Sequence, residues 1–232
     1  MSRLAEDPTR AAILLDVDGT LAPIVPRPED ARVPAETQAE LRRLHGRYAL
    51  VACVSGREGV DARRIVGVPE LLYVGNHGLE LEPESSVWAE RLQRFLAGVD
   101  WPQTEDKGLS ASFHYREAAD EARARAALDA VAEGAREAGF VARWGRKVLE
   151  VLPPLEADKG TAIRRLLAAR GLGRALYAGD DTTDLDAFRA LEELELGVRV
   201  AVASAEAPSA LREASDVVVA DPAELATMLR RL

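Results

Sequence analysis

Two aspartates one residue apart close the apolar run of ILLDVDGTLAP (13–23), and Gly19-Thr20 follow at once. Carboxylates at the mouth of a buried strand are costly unless something pairs with Asp16 and Asp18. Three further polar constellations follow in order: Ser55-Gly56-Arg57, Asp158-Lys159-Gly160, and the run Gly179-Asp180-Asp181-Thr182-Thr183-Asp184. Each stands at the end of an expected strand or the start of an expected helix. In a parallel sheet, residues just past the carboxyl ends of the strands converge on one crevice, where such folds bind ligands. Gathering Asp16, Asp18, Asp180 and Asp184 there would be strongly repulsive without a cation, and an all-oxygen donor set suits Mg²⁺. The Ser55 hydroxyl and the Lys159 ammonium are then placed to hold a phosphoryl oxygen. Metal, hydroxyl, ammonium and a carboxylate nucleophile together describe phosphoryl transfer, in which positioning and charge neutralisation dominate.

Taken singly, each constellation has a plainer reading. Asp-x-Asp-Gly is often a turn or part of a calcium loop. An EF-hand does not fit, because the flank is an apolar strand and no Glu stands at loop position 12. Ser55-Gly56-Arg57 alone is a strand-to-helix turn, and Asp158-Lys159-Gly160 alone is a helix start capped by Asp158. The run 179–184 alone is a helix N-terminus with acidic residues favoured by its dipole. Four such signals in one order, all at element ends, make the combined reading the economical one.

The elements that must position these residues follow from periodicity. Short β-like runs alternate with helical patterns, the signature of an α/β fold with a parallel sheet. Strands are expected at 12–17, 48–54, 71–76, 175–179, 198–203 and 216–220, and helices at 34–45, 159–170, 183–194 and 222–231. Between them the texture changes: 82–106 reads as irregular, 110–116 alternates like a half-exposed strand, and 117–138 is an Ala/Arg/Glu helix ending at Gly139. FVARW (140–144) and KVLEVL (147–152) form a hairpin around Gly145-Arg146. The expected organisation is a Rossmann-like parallel-sheet core, 1–82 with 156–232, interrupted by an inserted α+β module at 83–155.

Composition narrows the setting. Hydrophobic residues at 47% and charged residues at 30% describe an ordinary globular chain of 232 residues. A net charge of −9 argues against nucleic acid or an anionic membrane as partner, while leaving room for a small anionic substrate in a local basic pocket. The single Cys53 excludes an intrachain disulfide and fits a reducing compartment. MSRLAEDPTRAA lacks the features of a signal peptide, and no apolar run is long enough to span a bilayer. A cytoplasmic monomer acting on a small molecule is expected.

The four motifs resemble those of the haloacid dehalogenase superfamily of phosphatases. The resemblance implies that Asp16 is the nucleophile forming an aspartyl-phosphate and that Asp18 is the general acid, then the base. It implies that Ser55, Gly56, Arg57 and Lys159 bind the phosphoryl group, with Lys159 also neutralising Asp16. Mg²⁺ would be held by Asp16, the Asp18 carbonyl and Asp180, supported by Asp181 and Asp184. The inserted module lies where that superfamily places its C2-type cap.

Nearly the whole chain further resembles trehalose-6-phosphate phosphatases, through DVDGTLAPIVPRPEDARVP (16–34), GNHGLE (75–80), KGLSASFHYR (107–116), KVLEVLP (147–153) with DKG (158–160), and GDDTTDLDAF (179–188). Leu185, where that family usually has Glu, and Val17, where an aromatic is common, are departures beside the site. The resemblance implies hydrolysis of trehalose 6-phosphate, with Lys107, His114, Arg116, Lys147 and Glu150 of the cap gripping sugar and phosphate. It sets Asn76 and His77 near the hinge, and implies that the cap closes over the core. Sucrose-phosphate and mannosyl-phosphoglycerate phosphatases and phosphomannomutase share this core and cap type. A silent sugar-phosphate-binding regulator on the same fold is the remaining alternative; it would have no need of both Asp16 and Asp18.

Overall fold

The run that ends at Asp16 is the strand around which the sheet is ordered. The computed structural model describes residues 2–145, 147–203 and 208–232. In chain order a first unit opens with α1 (Ser2–Glu6), β1 (Ala11–Leu15), α2 (Ala35–His45), β2 (Leu50–Val54), α3 (Gly59–Val66) and β3 (Leu72–Val74). A second unit then carries α4 (Ser85–Leu96), β4 (Thr104–Asp106), β5 (Ala111–His114), α5 (Glu121–Glu137), β6 (Val141–Gly145) and β7 (Val148–Leu152). The chain returns to the first unit with α6 (Lys159–Ala168), β8 (Arg174–Gly179), α7 (Asp184–Leu191), β9 (Leu196–Val202), α8 (Ser209–Glu213), β10 (Val217–Val219) and α9 (Pro222–Leu229). Residues 1–78 with 157–232 form one compact unit and 79–156 the other.

In the first unit the strand order is β10-β9-β8-β1-β2-β3, with every neighbouring pair parallel. All five residues of β1 are buried, which is why it reads as a continuous apolar run; Ile13, Leu14 and Leu15 each gain about 1.5–3 kcal/mol from burial. One parity of the strand, Ala11, Ile13 and Leu15, joins a core with Leu41 and Leu44 of α2, Ile65 of α3 and Leu225 and Leu229 of α9. The other parity is equally buried, and α6 and α7 pack on that side through β2, β8 and β9. The sheet winds one way from β1 to β3 and the other way from β8 to β10, so β1 marks the switch point. Leu15 pairs with Cys53 on one side and Ala178 on the other, so the residues after all three strands emerge together.

The second unit is an antiparallel sheet of order β4-β5-β7-β6 with α4 and α5. β7 alternates in burial, with Leu149 and Val151 inside and Glu150 half-buried on the other face. The inside face joins Phe113, Leu128 and Leu92 in a buried apolar set, with Trp88 edge-on to Phe140 at 5.2 Å. α5 is started by the Asp120 carboxylate, which accepts from the Arg123 amide at 3.0 Å.

Residues 82–106 are not irregular as expected: they hold α4 and β4. Pro83, Gly98 and Pro102 break up the stretch, but Trp88, Leu92 and Phe95 recur at helical spacing, and both aromatics pack on Phe140. α1, α3 and α8 are additions as well, each too short for its periodicity to stand out. The hairpin between β6 and β7 is present, and Arg146 lies outside the described residues. No helix among the described residues is long and apolar enough to cross a membrane.

Candidate active site

Register delivers Asp16 to the end of β1 beside β8, where its amide donates to the Ala178 carbonyl at 2.9 Å. The side chain is buried, and its Oδ1 accepts from Lys159 Nζ at 2.8 Å. Lys159, the first residue of α6, is 3% exposed and also donates to Asp184 Oδ1 at 2.6 Å. An Asp158–Thr161 capping box fixes that helix start. Desolvation opposes the Lys159 charge, yet Asp16 and Asp184 push its pKa up overall. Burial drives Asp16 well above the usual carboxylate range; Lys159 opposes this, while Asp184 and Asp180 add to it.

Asp184, the first residue of α7, is fully buried and saturated with donors. Its Oδ1 receives Lys159 and the Tyr177 hydroxyl (2.6 Å), and its Oδ2 receives the amides of Asp180 (2.8 Å) and Asp181 (2.9 Å). The loop from β8 to α7 is thereby wound around one carboxylate. Gly179 is required there, since a Cβ would lie 2.2 Å from Asp184 Cγ. Tyr177 was not among the expected site residues. Its signal was a hydroxyl on an otherwise apolar strand of the sheet centre, which needs a buried partner.

Asp180 accepts from the Thr20 hydroxyl at 3.2 Å, joining the β1 and β8 loops. Gly19 (φ 75°) passes so close that a Cβ would sit 2.0 Å from Asp180 Oδ2. Burial, with Asp184 adding, pushes Asp180 up to about 6. Oxygens of Asp16, Asp180 and Asp184 all lie within 4.8 Å of one another. One ammonium does not balance three carboxylates, and beyond burial, the main cause, neighbouring carboxylates add to the rise of both Asp16 and Asp180. Hard oxygen donors at the mouth of a crevice fit a divalent cation, with Asp16 and Asp180 keeping lone pairs to offer while Asp184 is filled by its own donors. Asp181 is exposed, and its carboxylate accepts from the Thr182 amide and hydroxyl, outside that cluster.

The second strand end is organised around Ser55, which is buried. Its amide donates to the Val74 carbonyl at 2.9 Å and its Oγ accepts from the Arg57 amide at 3.2 Å. The Asn76 amide donates to the Arg57 carbonyl (2.7 Å) and the His77 amide to the Ser55 carbonyl (2.9 Å), tying this loop to the one after β3. Asn76 and His77 hold φ of 51° and 54°, a region to which both residue types are suited, and Gly78 follows at 104°. Gly56 is needed because a Cβ would meet the His77 ring at 2.7 Å, and Gly78 because one would meet the Asp158 carbonyl at 2.8 Å. Arg57 lies on the Asp18 carboxylate, with Nε to Oδ2 at 2.6 Å and Nη2 to Oδ1 at 2.7 Å. That contact is the main reason its pKa is raised. Leu185 is half-buried in the first turn of α7.

In the second unit, cross-strand register sets Glu105, Ser112, Glu150 and Arg143 in one row across the sheet. Lys107 and His114 share that polar face, with His114 Nε2 3.0 Å and Lys107 Nζ 3.6 Å from Glu105 Oε2. Lys147 stands apart: it is in the turn between β6 and β7, with φ of 62°, and its ammonium pairs with Glu121 at the start of α5. Arg116 is exposed beyond the end of β5.

The trehalose-phosphatase family model matches residues 14–218. Trehalose-phosphate phosphatase of Mycobacterium avium (strain 104) is 35% identical over 201 residues, which cover 78% of this chain and 51% of that relative. Probable trehalose-phosphate phosphatase 9 of Oryza sativa subsp. japonica is 31% identical over 268 residues, covering 96% of this chain and 70% of the relative. The chain thus spans about half the length of the mycobacterial relative. A solved trehalose-6-phosphate phosphatase related protein superposes with a TM-score of 0.68 at 24% identity, covering 95% of this chain and 96% of its own, a likeness of fold.

Proposed function

Because the chain belongs to the trehalose-phosphatase family, we propose that it hydrolyses trehalose 6-phosphate to trehalose and phosphate, with Mg²⁺ as the cation of its acidic cluster. The observation that carries the reading is Asp16, buried at the mouth of the central strand, held by Lys159 and grouped with Asp180 and Asp184. In this reading the Asp16 carboxylate attacks phosphorus, the ester P–O bond breaks, and Asp18 gives its proton to the departing sugar oxygen. Asp18 then takes a proton from water as that water displaces phosphate from Asp16. Ser55 and Lys159 orient the phosphoryl oxygens, and Lys159 also keeps Asp16 aligned. A cation held by Asp16, Asp180 and the Asp18 carbonyl would supply the charge neutralisation that lets a dianionic ester approach this acidic pocket. Asp181 and Asp184 act through the loop they fold.

The polar face of the second unit supports a role in sugar recognition. Carboxylate, imidazole and ammonium groups at Glu150, His114 and Lys107 are a suitable set for hydroxyls, Arg116 offers an exposed cation beyond the end of β5, and Lys147 would join them only by leaving Glu121. The single, buried thiol of Cys53 is compatible with a reducing compartment, and the cytoplasm is the setting of this proposal. The test is a panel of sugar phosphates scored by kcat/KM with Mg²⁺ and with a chelator, repeated on Asp16→Asn. Trehalose 6-phosphate is expected to lead the panel, turnover to stop with the chelator, and Asp16→Asn to be folded and inactive. Preference for sucrose phosphate or mannosyl-phosphoglycerate would replace the substrate, and an active Asp16→Asn would remove the nucleophile.

A further inference from the structure

Arg57 has its guanidinium nitrogens committed within the first unit. Nε and Nη2 form a fork on the two oxygens of Asp18, Nη1 donates to Asp61 Oδ2 at 3.0 Å, and Nη2 also reaches the Pro28 carbonyl at 3.2 Å. Asp61 is braced in turn by Arg64, whose Nε and Nη2 donate to its Oδ1 at 3.0 and 2.6 Å. A lysine would fix only the distance to a carboxylate; a guanidinium fork also fixes the plane of the group. Asp18 needs such a hold, because its side chain is one-third exposed and lies outside the buried network of Asp16, Lys159 and Asp184. The α3 brace therefore ends on the one carboxylate whose job is to meet the leaving oxygen.

We propose that Arg57 is a positioning residue that acts through Asp18, setting the direction of its carboxyl group, and is not a ligand of the phosphoryl group. The inference rests on the assignment of Asp18 as the acid in the function proposed above. In the first step the proton moves from Asp18 to the sugar oxygen while the P–O electron pair goes to that same oxygen. The carboxylate left behind is the one the guanidinium receives. In the second step the proton returns to Asp18 from the attacking water.

Leaving-group dependence separates the two roles. An alkoxide needs a proton in order to leave, a 4-nitrophenolate does not, and kcat/KM reports only the steps through alcohol release. Arg57→Ala, Arg57→Lys, Asp18→Asn and the double variant Asp18→Asn/Arg57→Ala are assayed with trehalose 6-phosphate and with 4-nitrophenyl phosphate, with thermal melts to establish folding. Arg57→Ala is expected to lose roughly ten- to a hundredfold on the sugar ester, with a much smaller loss on the aryl ester. Arg57→Lys should keep the charge and still show the skew. The double variant should fall no further on the sugar ester than Asp18→Asn, within a factor of about three. Millimolar guanidinium should partly rescue Arg57→Ala on the sugar ester. Equal losses of Arg57→Ala on both esters, with weakened inhibition by inorganic phosphate, would overturn the inference and make Arg57 a phosphate ligand. So would losses that multiply in the double variant. Asp18→Asn without a skew would remove the acid assignment itself, whereas a skew in Asp18→Asn alone would remove only the role of Arg57.

Discussion

At the carboxyl end of β1, Lys159 and Asp184 are 3% and 0% exposed and meet at 2.6 Å. On the polar face of the second unit, His114 and Glu105 meet at 3.0 Å with 46% and 49% of their side chains open to water. Both are pairs of ionisable groups on the ends or faces of regular elements, yet the physics differs. A buried pair has one arrangement, because every lone pair left over costs desolvation, so Asp184 collects four donors and Tyr177 is recruited to complete it. An exposed pair can exchange partners with water at little cost. The first suits chemistry that needs fixed atoms, and the second suits recognition of a ligand that replaces water.

The largest break of that comparison is Lys159→Met. It leaves Asp16 and Asp184 buried without their cation, and a loss of about 3–5 kcal/mol is expected in denaturant melts, together with loss of turnover. Retention of wild-type stability would mean that the network is not held by charge. Tyr177→Phe is the next step down. Asp184 keeps three of its four donors, so a loss of about 1.5–3 kcal/mol is expected, with turnover reduced and KM little changed.

A smaller effect comes from Asp180, raised to about 6 by burial and by Asp184. A carboxyl with a raised folded pKa binds more protons folded than unfolded between its two values. Its contribution to stability is therefore present below the unfolded pKa, about 3.9, and lost as pH rises through the folded value. Metal-free protein should lose this contribution between pH 4 and 7, Asp180→Asn should flatten that part of the profile, and added Mg²⁺ should raise the melting temperature more at pH 7 than at pH 5. The smallest change in stability is expected for Glu150→Gln, within about 0.5 kcal/mol. Its mark should be kinetic: a higher KM for trehalose 6-phosphate, with the aryl ester unaffected.

The same contrast explains what was legible in the sequence. The α/β class and the parallel sheet were readable because β1 and β2 are buried on both faces and carry no alternation to confuse. The acidic motifs were visible because unpaired charge beside an apolar strand has few other uses. Tyr177 escaped because a lone hydroxyl on a strand gives no spacing to read, and its partner Asp184 lies on the next element. The Arg57–Asp18 fork escaped because it joins residues 39 positions apart, with only Asp61, four residues on in a helix too short to stand out, as a local hint. α4 was hidden by Pro83 and Gly98 at its borders, although Trp88, Leu92 and Phe95 carried its period.

The close approach of Gly78 to the Asp158 carbonyl has a topological consequence. The chain leaves the first unit and comes back to it at one point, so residues 79–156 are, to the parallel sheet, a closed detour. The entropy of closing that detour grows only as the logarithm of its length, and it shrinks further once the detour has folded on its own apolar set of Phe113, Leu149 and Trp88. β3 and α6, which flank the detour, can then meet as if they were near neighbours in sequence, and the separation of β1 from β8 falls by the length of the detour. The inserted unit can thereby be exchanged, and with it the sugar it is proposed to read, without asking the sheet to refold.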